Sequence, residues 1–462
     1  MYFRSVAIFK RAITKIKKAM STDDTTQITL PPMKVITQNE HNIRVEDISV
    51  NAVKVLRRLN AAGFEAYLVG GCVRDLLLNQ HPKDFDIATD ATPEQIKAQF
   101  KNCRIIGRRF RLAHVVFGRE IIEVATFRGP HIQDKNTSDK SKKDGEGQLV
   151  RDNVFGTLEQ DAARRDFTIN AMYYNVVDGT IRDFAGGIDS IEEKTISLIG
   201  DPETRYREDP VRMIRAVRFA AKLDMTIDEV SDEAIHKFAY LLENIPPARL
   251  FEEVLKLLFS GQGLTTYQLL LEYGLFDKLF PQTGPLLKTD SRERKFIDQV
   301  ITNTDNRINN GQRVTPAFLY AAMLWYPIEE HSQKLVIESG LSPADAFNMA
   351  MSDVLHRQLQ RIMIPKRFSI TMREIWSFQH RLSRRYGRRA YQMLAHPRFR
   401  AAYDFLLLRG EIEGGELYEL AQWWTDFQEV DSDTRKRMID DLRAQPGPRN
   451  SRRRKKPKRK PN

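Results

Sequence analysis

Cysteine is nearly absent from this chain of 462 residues: only Cys72 and Cys103 occur. With so few thiols a disulfide scaffold is excluded, and a reducing, cytoplasmic compartment fits. Long apolar runs are missing too. No stretch approaches the roughly 18 apolar residues of a membrane span, and no secretory signal with an apolar core and cleavage site is visible. There is no CxxC pair, no HExxH, no GxxxxGK phosphate loop and no GxSxG elbow. Zinc-site, P-loop ATPase and serine-hydrolase readings therefore have no support. Hydrophobic residues at 41% and charged residues at 29% describe a soluble protein, long enough for about three domains.

What is present is concentrated in Leu68–Asp86, LVGGCVRDLLLNQHPKDFD. Ala66–Val69 reads as a short buried strand and Cys72–Leu78 as a helix, so Gly70-Gly71 sits at a strand-to-helix turn. Glycine lets the backbone approach a bulky anion, and a helix start points unsatisfied N–H groups at it. Arg74 adds a forked cation suited to phosphate oxygens. Lys83–Ile87 follows in strand-like alternation, which puts Asp84 and Asp86 on one face and turns Phe85 and Ile87 to the core. Two adjacent carboxylates repel unless a cation lies between them, and hard divalent ions prefer such oxygens. A phosphate cradle beside a metal-binding carboxylate pair is the layout for nucleotidyl transfer.

Charge is unevenly spread. Nine Lys or Arg and no acid lie between Arg449 and Lys460, +9 of the net +12. Such a block repels itself and is expected to be a disordered tail, one that attracts RNA or DNA without sequence preference or, as the alternative, one that only aids solubility. At the other end, residues 1–19 are basic and loosely amphipathic. Two readings stand for them, an unstructured arm or a segment resting peripherally on an anionic membrane surface.

The order of parts predicts an α+β fold. Residues 1–45 read as a flexible basic extension and 46–190 as a small mixed-sheet catalytic head. Residues 191–260 read as a helical neck that binds the nucleotide base and RNA, 261–430 as an all-helical body that binds RNA, and 431–462 as a disordered basic tail. Within the head, Ile105–Val116 and Ile121–Phe127 read as β-rich, with Gly118 at the turn between them. Residues 130–150 are polar and aperiodic, expected to be a mobile loop, and Asp178-Gly179 signals a tight hairpin. Helices are expected at Pro210–Leu223, Ala248–Phe259, Thr265–Tyr273 and Ala401–Leu408. No internal repeat and no long heptad seam appear, so a monomer is expected.

Two carboxylates compete for a third place at the metal site. Glu123 stands between apolar neighbours on an expected strand, and Asp166 follows Arg164 and Arg165. Further on, Asp209, Arg212, Arg215 and Arg218 recur every three residues along one helix flank, with Met213, Ile214 and Val217 turned to the core. An aspartate one turn before an arginine makes an acceptor–donor pair that matches the Watson–Crick edge of adenine or cytosine.

These pieces resemble the class II nucleotidyltransferase family, which holds bacterial poly(A) polymerases and tRNA CCA-adding enzymes. The matching segments are LVGGCVRDLLL (68–78), KDFDIAT (83–89), EVATFRG (123–129), RRDFTINAMYY (164–174) and REDPVRMIRAVRFA (207–220). The resemblance implies that Asp84 and Asp86 bind two catalytic Mg²⁺ ions, and that Gly70, Gly71 and Arg74 hold the triphosphate of ATP. It further implies that Arg164, Arg165 and Asp166 serve the nucleotide site. Asp209 and Arg212 would read the base, with Arg215 helping on the phosphates. IIGRRFRLAHV (105–115), IPPARLFEEVLKLL (245–258) and HPRFRAAYDFLLLR (396–409) resemble the polymerase branch. That branch implies template-independent addition of AMP to RNA 3′ ends, mRNA and small RNA alike, with RNA decay as the consequence. CCA addition to tRNA is the alternative. No protein partner is readable.

Overall fold

The computed structural model describes residues 28, 30–107, 111–129 and 154–444. The chain divides into two compact units, Met1–Glu208 with Met225–Ala234, and Asp209–Asp224 with Ile235–Asn462. The expected neck is thus shared out: 191–208 and 225–234 go with the first unit and the rest with the second.

The first unit is built on an eight-stranded sheet. Its strands are β1 (Lys34–Ile36), β2 (Ala66–Val69), β3 (Asp86–Thr89), β4 (Cys103–Ile106), β5 (Leu112–Phe117), β6 (Glu120–Thr126), β7 (Met172–Tyr174) and β8 (Ile181–Asp183). They lie in the order β1-β8-β7-β2-β3-β6-β5-β4. Among the described residues only β3 and β6 pair in parallel within it. A separate two-residue pair, β9 (Thr195–Ile196) with β10 (Thr226–Ile227), is also parallel.

Period-two alternation sorts the residues of this sheet between two cores. Ala66, Leu68, Ile87, Ile122, Val124, Met172 and Tyr174 join one cluster with the helices Val50–Ala61 and Gly71–Leu77. Tyr67, Val69, Ala88 and Tyr173 join another with Phe127, Leu158, Ala162 and Phe184. Because β2 is central and buried on both faces, it reads as a continuous apolar run. Asp86 and Glu123 belong to the face of Ala88, the side only partly filled by apolar groups.

Several expectations are corrected here. Strand β3 begins at Asp86, so Asp84 lies on the bend before it, although Phe85 and Ile87 are buried as the alternation requires. The expectation of a β-rich stretch at 105–116 holds: it takes in the end of β4 and most of β5, with Gly107 at φ +81° after β4. The hairpin at Asp178-Gly179 is wider than a two-residue turn, because Tyr174 pairs with Ile181 and the loop runs from 175 to 180. Lys34–Ile36, expected to be flexible, is an edge strand on β8. Ser432–Ala444, expected to be disordered, is a helix, and Ile439 anchors it in the cluster of Trp424 and Phe427. The expected mobile loop at 130–150 and the basic block 449–460 lie outside the described residues. Both cysteines are free and buried, as their number suggested.

Among the described residues, the regular elements of the second unit are all helices, including Val211–Leu223, Pro247–Leu258, Gly263–Glu272 and Phe399–Glu413. On Val211–Leu223, Met213, Ile214 and Val217 are buried, and Arg212, Arg215 and Arg218 share a half-buried flank. No helix among the described residues is long and apolar enough to cross a membrane.

Candidate active site

The turn after β2 brings the glycine pair against two guanidinium groups. Gly70 caps the helix Gly71–Leu77 at φ +80°, ψ −136°, a conformation open mainly to glycine. A Cβ there would lie 3.6 Å from Arg165 Nη1, and one on Gly71 would lie 3.4 Å from Arg74 Nη2. The backbone is bare where the two cations approach it.

Arg74 is held more deeply than the sequence suggested. It is 3% exposed, donates from Nε and Nη2 to Asp75 Oδ1 at 2.8 and 2.6 Å, and from Nη1 to Asn170 Oδ1 at 2.7 Å. Arg165 is held in a similar way. Its Nε donates to the Tyr173 hydroxyl at 2.9 Å, Nη2 to Asp161 Oδ2 at 3.0 Å, and Nη1 to the Asn170 carbonyl at 3.4 Å. Burial works against the Arg165 charge, but Tyr173 and Asp161 outweigh it and raise its pKa above the usual value. Arg165 is a fixed cation. Asn170 links the two arginines, accepting from one through its side chain and from the other through its carbonyl.

A cavity of about 310 Å³ opens beside this network, lined by Val69, Asp86, Ile87, Leu112, Glu123, Ala125, Arg128, Asp161, Arg164 and Arg165. Arg164 crosses its wall, donating to the Gly129 carbonyl at 2.8 Å. The opposite wall is anionic. Asp86 and Glu123 are paired neighbours in the β3–β6 register, and Glu123 Oε1 lies 3.2 Å from His114 Nε2. That His–Glu contact is a close approach rather than an aligned hydrogen bond, because Nε2 has no hydrogen-bond partner. The Asp86 carboxyl is pushed up to about 6, by desolvation first and then by the charges of Glu123 and Asp84, with Arg165 opposing. Asp86 keeps solvent contact but sits in a concave wall, which is how an accessible carboxylate comes to be desolvated. Behind it the Cys72 thiol is buried and pushed up to about 12, so it stays a neutral filler.

A second, larger cavity of about 840 Å³ lies along the same carboxylates. Asp84, Asp86 and Glu123 line it together with His81, Lys83, His114, Arg119 and Glu120. Asp86 and Glu123 therefore border both spaces, and the smaller one has a cationic wall. Among the described residues no three His, Cys, Asp or Glu side chains converge tightly enough to form a metal cage by themselves. Asp166 borders neither cavity; its Oδ1 accepts from the Phe167 N–H at 2.9 Å. Of the two competing carboxylates, the fold sets Glu123 beside Asp86.

In the second unit, Asp209 precedes the helix Val211–Leu223 and accepts from Arg249 Nη2 at 2.6 Å and from the Val211 N–H at 3.3 Å. Its carbonyl accepts from the Arg212 N–H at 3.1 Å. Sequence reasoning missed Arg249, Asp75, Asp161, Asn170 and Tyr173. One signal was available: Asp161 stands four residues before Arg165, the spacing of a helical ion pair.

Family models match three parts of the chain. The poly A polymerase head domain matches residues 66–197, the probable RNA and SrmB-binding site of polymerase A matches 224–287, and the polymerase A arginine-rich C-terminus matches 339–460. The chain is 53% identical over 451 residues to poly(A) polymerase I of Salmonella typhimurium, covering 96% of this chain and 97% of that one. It belongs to the poly(A) polymerase I family. Poly(A) polymerase I of Escherichia coli O157:H7 is 52% identical over 456 residues, covering 97% of each chain. The crystal structure of the Bacillus stearothermophilus CCA-adding enzyme in complex with CTP matches with a TM-score of 0.54 at 23% identity, covering 86% of this chain and 88% of that one. That likeness shows the fold: a mixed-sheet nucleotidyltransferase head with a helical body. As a member of the poly(A) polymerase I family the chain is a nucleotidyltransferase enzyme.

Proposed function

We propose that the chain transfers AMP from ATP to the 3′ hydroxyl of RNA with release of pyrophosphate, repeatedly and without a template, using two Mg²⁺ ions. The observation that carries this reading is the position of Asp86 and Glu123 along both cavities. The cation-walled space takes the triphosphate, the larger cavity admits an RNA 3′ end, and the reacting phosphorus lies at their shared edge.

The carboxylates fit divalent ions on a physical ground. Negative charge from Glu123 and Asp84 helps hold the Asp86 carboxyl up near 6, and a cation among them relieves that repulsion. Mg²⁺ commonly takes one or two protein carboxylates and completes its shell with substrate phosphates and water, so a protein-only cage of three is not needed. Asp84 and Asp86 would hold the ions, with Glu123 alongside. When bound, the ions supply Lewis-acid activation of the attacking hydroxyl and neutralise the departing pyrophosphate.

The chain's own groups do the rest. Arg164 and Arg165 face the triphosphate, and Arg165 is pinned before substrate arrives, so its charge is in place as the leaving group develops. Gly70 and Gly71 let the phosphates approach the backbone. Arg74, tied to Asp75 and Asn170, braces the same turn from within. Asp209 and Arg212 read the amino edge of the base, and Arg215 contacts phosphate. RNA decay in a bacterial cytoplasm is the setting this activity fits.

Extension of a labelled generic RNA with Mg²⁺ and each NTP singly tests the proposal. A long ladder with ATP alone is expected. Addition of only C, C and A to a tRNA acceptor would overturn it in favour of the sister activity.

A further inference from the structure

The helical unit carries a concentration of cations that the proposed chemistry does not use. Between Glu374 and Asp404 the sequence has seven arginines and no acid. Arg398 and Arg400 are paired, to Glu374 at 2.8 Å and to Asp404 at 2.9 Å. Arg381, Arg384, Arg388 and Arg389 are exposed, and none is bridged to an acid among the described residues.

Aromatic rings are set among these charges. The helices Lys366–Leu382 and Arg388–Leu394 are joined by a turn that holds Tyr386, 53% exposed, and Tyr391 on the second helix is 38% exposed. Gly387 shapes the turn at φ +54°, ψ −134°, a state other residues avoid. Arg388 and Tyr391 are three apart on one helix and share a flank.

Local physics does not favour this arrangement in an isolated chain. Arg388 and Arg389 open their helix at the end where the peptide dipole repels cations, and no acid stands in that first turn. A local rule broken with no compensating acid among the described residues is where an external partner is expected. The turn is also firmly mounted. Leu382, Ala390 and Met393 are buried in one cluster with Trp424 and Phe427, and the Arg385 guanidinium lies 4.9 Å from the Trp423 ring centroid.

We propose that residues 381–391 form a platform for single-stranded RNA, with the four exposed arginines on phosphates and Tyr386 and Tyr391 stacked on bases. Cations that track a backbone, interleaved with exposed rings, are the recognition chemistry of unpaired nucleic acid. A duplex offers the arginines its phosphates but keeps its base faces covered. An acidic protein would satisfy the charges and leave the exposed Tyr386 ring unexplained, whereas Tyr391 is held against Phe427, with 5.5 Å between ring centroids, and offers only its exposed part. The inference rests on the reading that RNA is the substrate, and it places a second hold on the strand in the helical unit.

The test uses the full-length protein with its C-terminal block intact and reads fluorescence anisotropy of a labelled oligoadenylate, without ATP or metal. A failure of AMP transfer and a failure of the platform are thereby separately visible. Arg384→Gln/Arg388→Gln/Arg389→Gln is expected to raise Kd about tenfold and to lower the salt slope by about 2, from roughly 0.7 per phosphate contact on single strands. Tyr386→Ala/Tyr391→Ala is expected to raise Kd about fivefold or more with the salt slope kept, and to leave duplex RNA binding unchanged. Lys288→Gln/Arg313→Gln, at exposed positions elsewhere in the unit, is the control for charge alone, and thermal melts confirm folding. Losses no larger than the control's would overturn the platform and leave the surface to an acidic protein. A loss with the arginine variant but none with the tyrosine pair would overturn stacking.

Discussion

Tyr173 donates its phenolic hydrogen to Asp161 Oδ2 at 2.7 Å and accepts from Arg165 Nε at 2.9 Å. Burial raises the Tyr173 pKa far above the ordinary phenol value, so the hydroxyl remains a neutral donor at any working pH. Asp161 is also held by the Arg128 N–H at 3.1 Å. The position of the cation in the nucleotide cavity is thus set by a carboxylate and a phenol that do not themselves carry the chemistry, the arrangement that fixes a working group before substrate arrives.

Tyr173→Phe isolates this relationship, because the ring keeps its packing against Tyr67 and Phe184. Loss of the hydroxyl leaves Asp161 short of one buried donor and is expected to cost about 1–3 kcal/mol in urea unfolding. Arg165 gains freedom, so kcat/KM for ATP should fall by about ten- to a hundredfold, with RNA affinity unchanged. Steady-state kinetics with ATP varied at saturating RNA read this. A stability loss with unaltered ATP kinetics would make Tyr173 purely structural.

Asp86→Asn separates stability from activity. The wild-type carboxyl titrates near 6 in the folded protein against an ordinary value of 3.8. A raised carboxyl favours the folded state below the unfolded value, and that advantage is lost as pH rises through about 6. Without metal, then, the wild type should be less stable than Asp86→Asn at pH 8, by about 1 kcal/mol once solvent screening is allowed for. The gap should narrow at pH 5 and close below the ordinary carboxyl value. AMP transfer should be abolished at every pH. Urea titrations in EDTA at several pH values check the sign, and equal stability at pH 8 would contradict the strain assigned to the carboxylate wall.

The local parts of this site were legible in the sequence and the non-local parts were not. The glycine turn, the burial of Phe85 and Ile87, and the arginine flank of Val211–Leu223 follow from periods of two and three to four residues. Asp84 was read onto the strand because alternation begins at Lys83, whereas the ladder begins only where Glu123 arrives opposite Asp86. Arg74 reads as an outward cation; Asp75 is adjacent, but its second anchor, Asn170, is 96 residues away. Strand β1 spans three residues, too few for a period to show. In Ser432–Ala444 the many charges mask the few apolar anchors, of which Ile439 is buried.

The pairing of Asp209 with Arg249 at 2.6 Å bears on nucleotide choice. If Asp209 offers an acceptor to the base, Arg249 orients it, and Arg212 supplies the donor. Arg249→Met and Arg212→Ala should each reduce the preference for ATP over GTP, by about tenfold, the worth of one charge-assisted hydrogen bond. The ratio of kcat/KM values for the two nucleotides measures this. An unchanged ratio in both variants would remove the base-reading role from this helix start.

The block from Arg449 to Lys460 puts nine positive charges on twelve residues, and its expected contribution is counterion release rather than specific contact. Deleting residues 446–462 should weaken RNA binding at low salt and flatten its salt dependence by up to about 6, near 0.7 for each cation engaged on a single strand. The rate of AMP incorporation at saturating RNA should not change, because Asp84, Asp86, Arg164 and Arg165 all remain. Salt is the sharper readout, since a tail that merely improves solubility would leave the slope alone. Loss of single-turnover incorporation at saturating RNA would mean that the tail acts on the reacting end of the strand as well as on its phosphates.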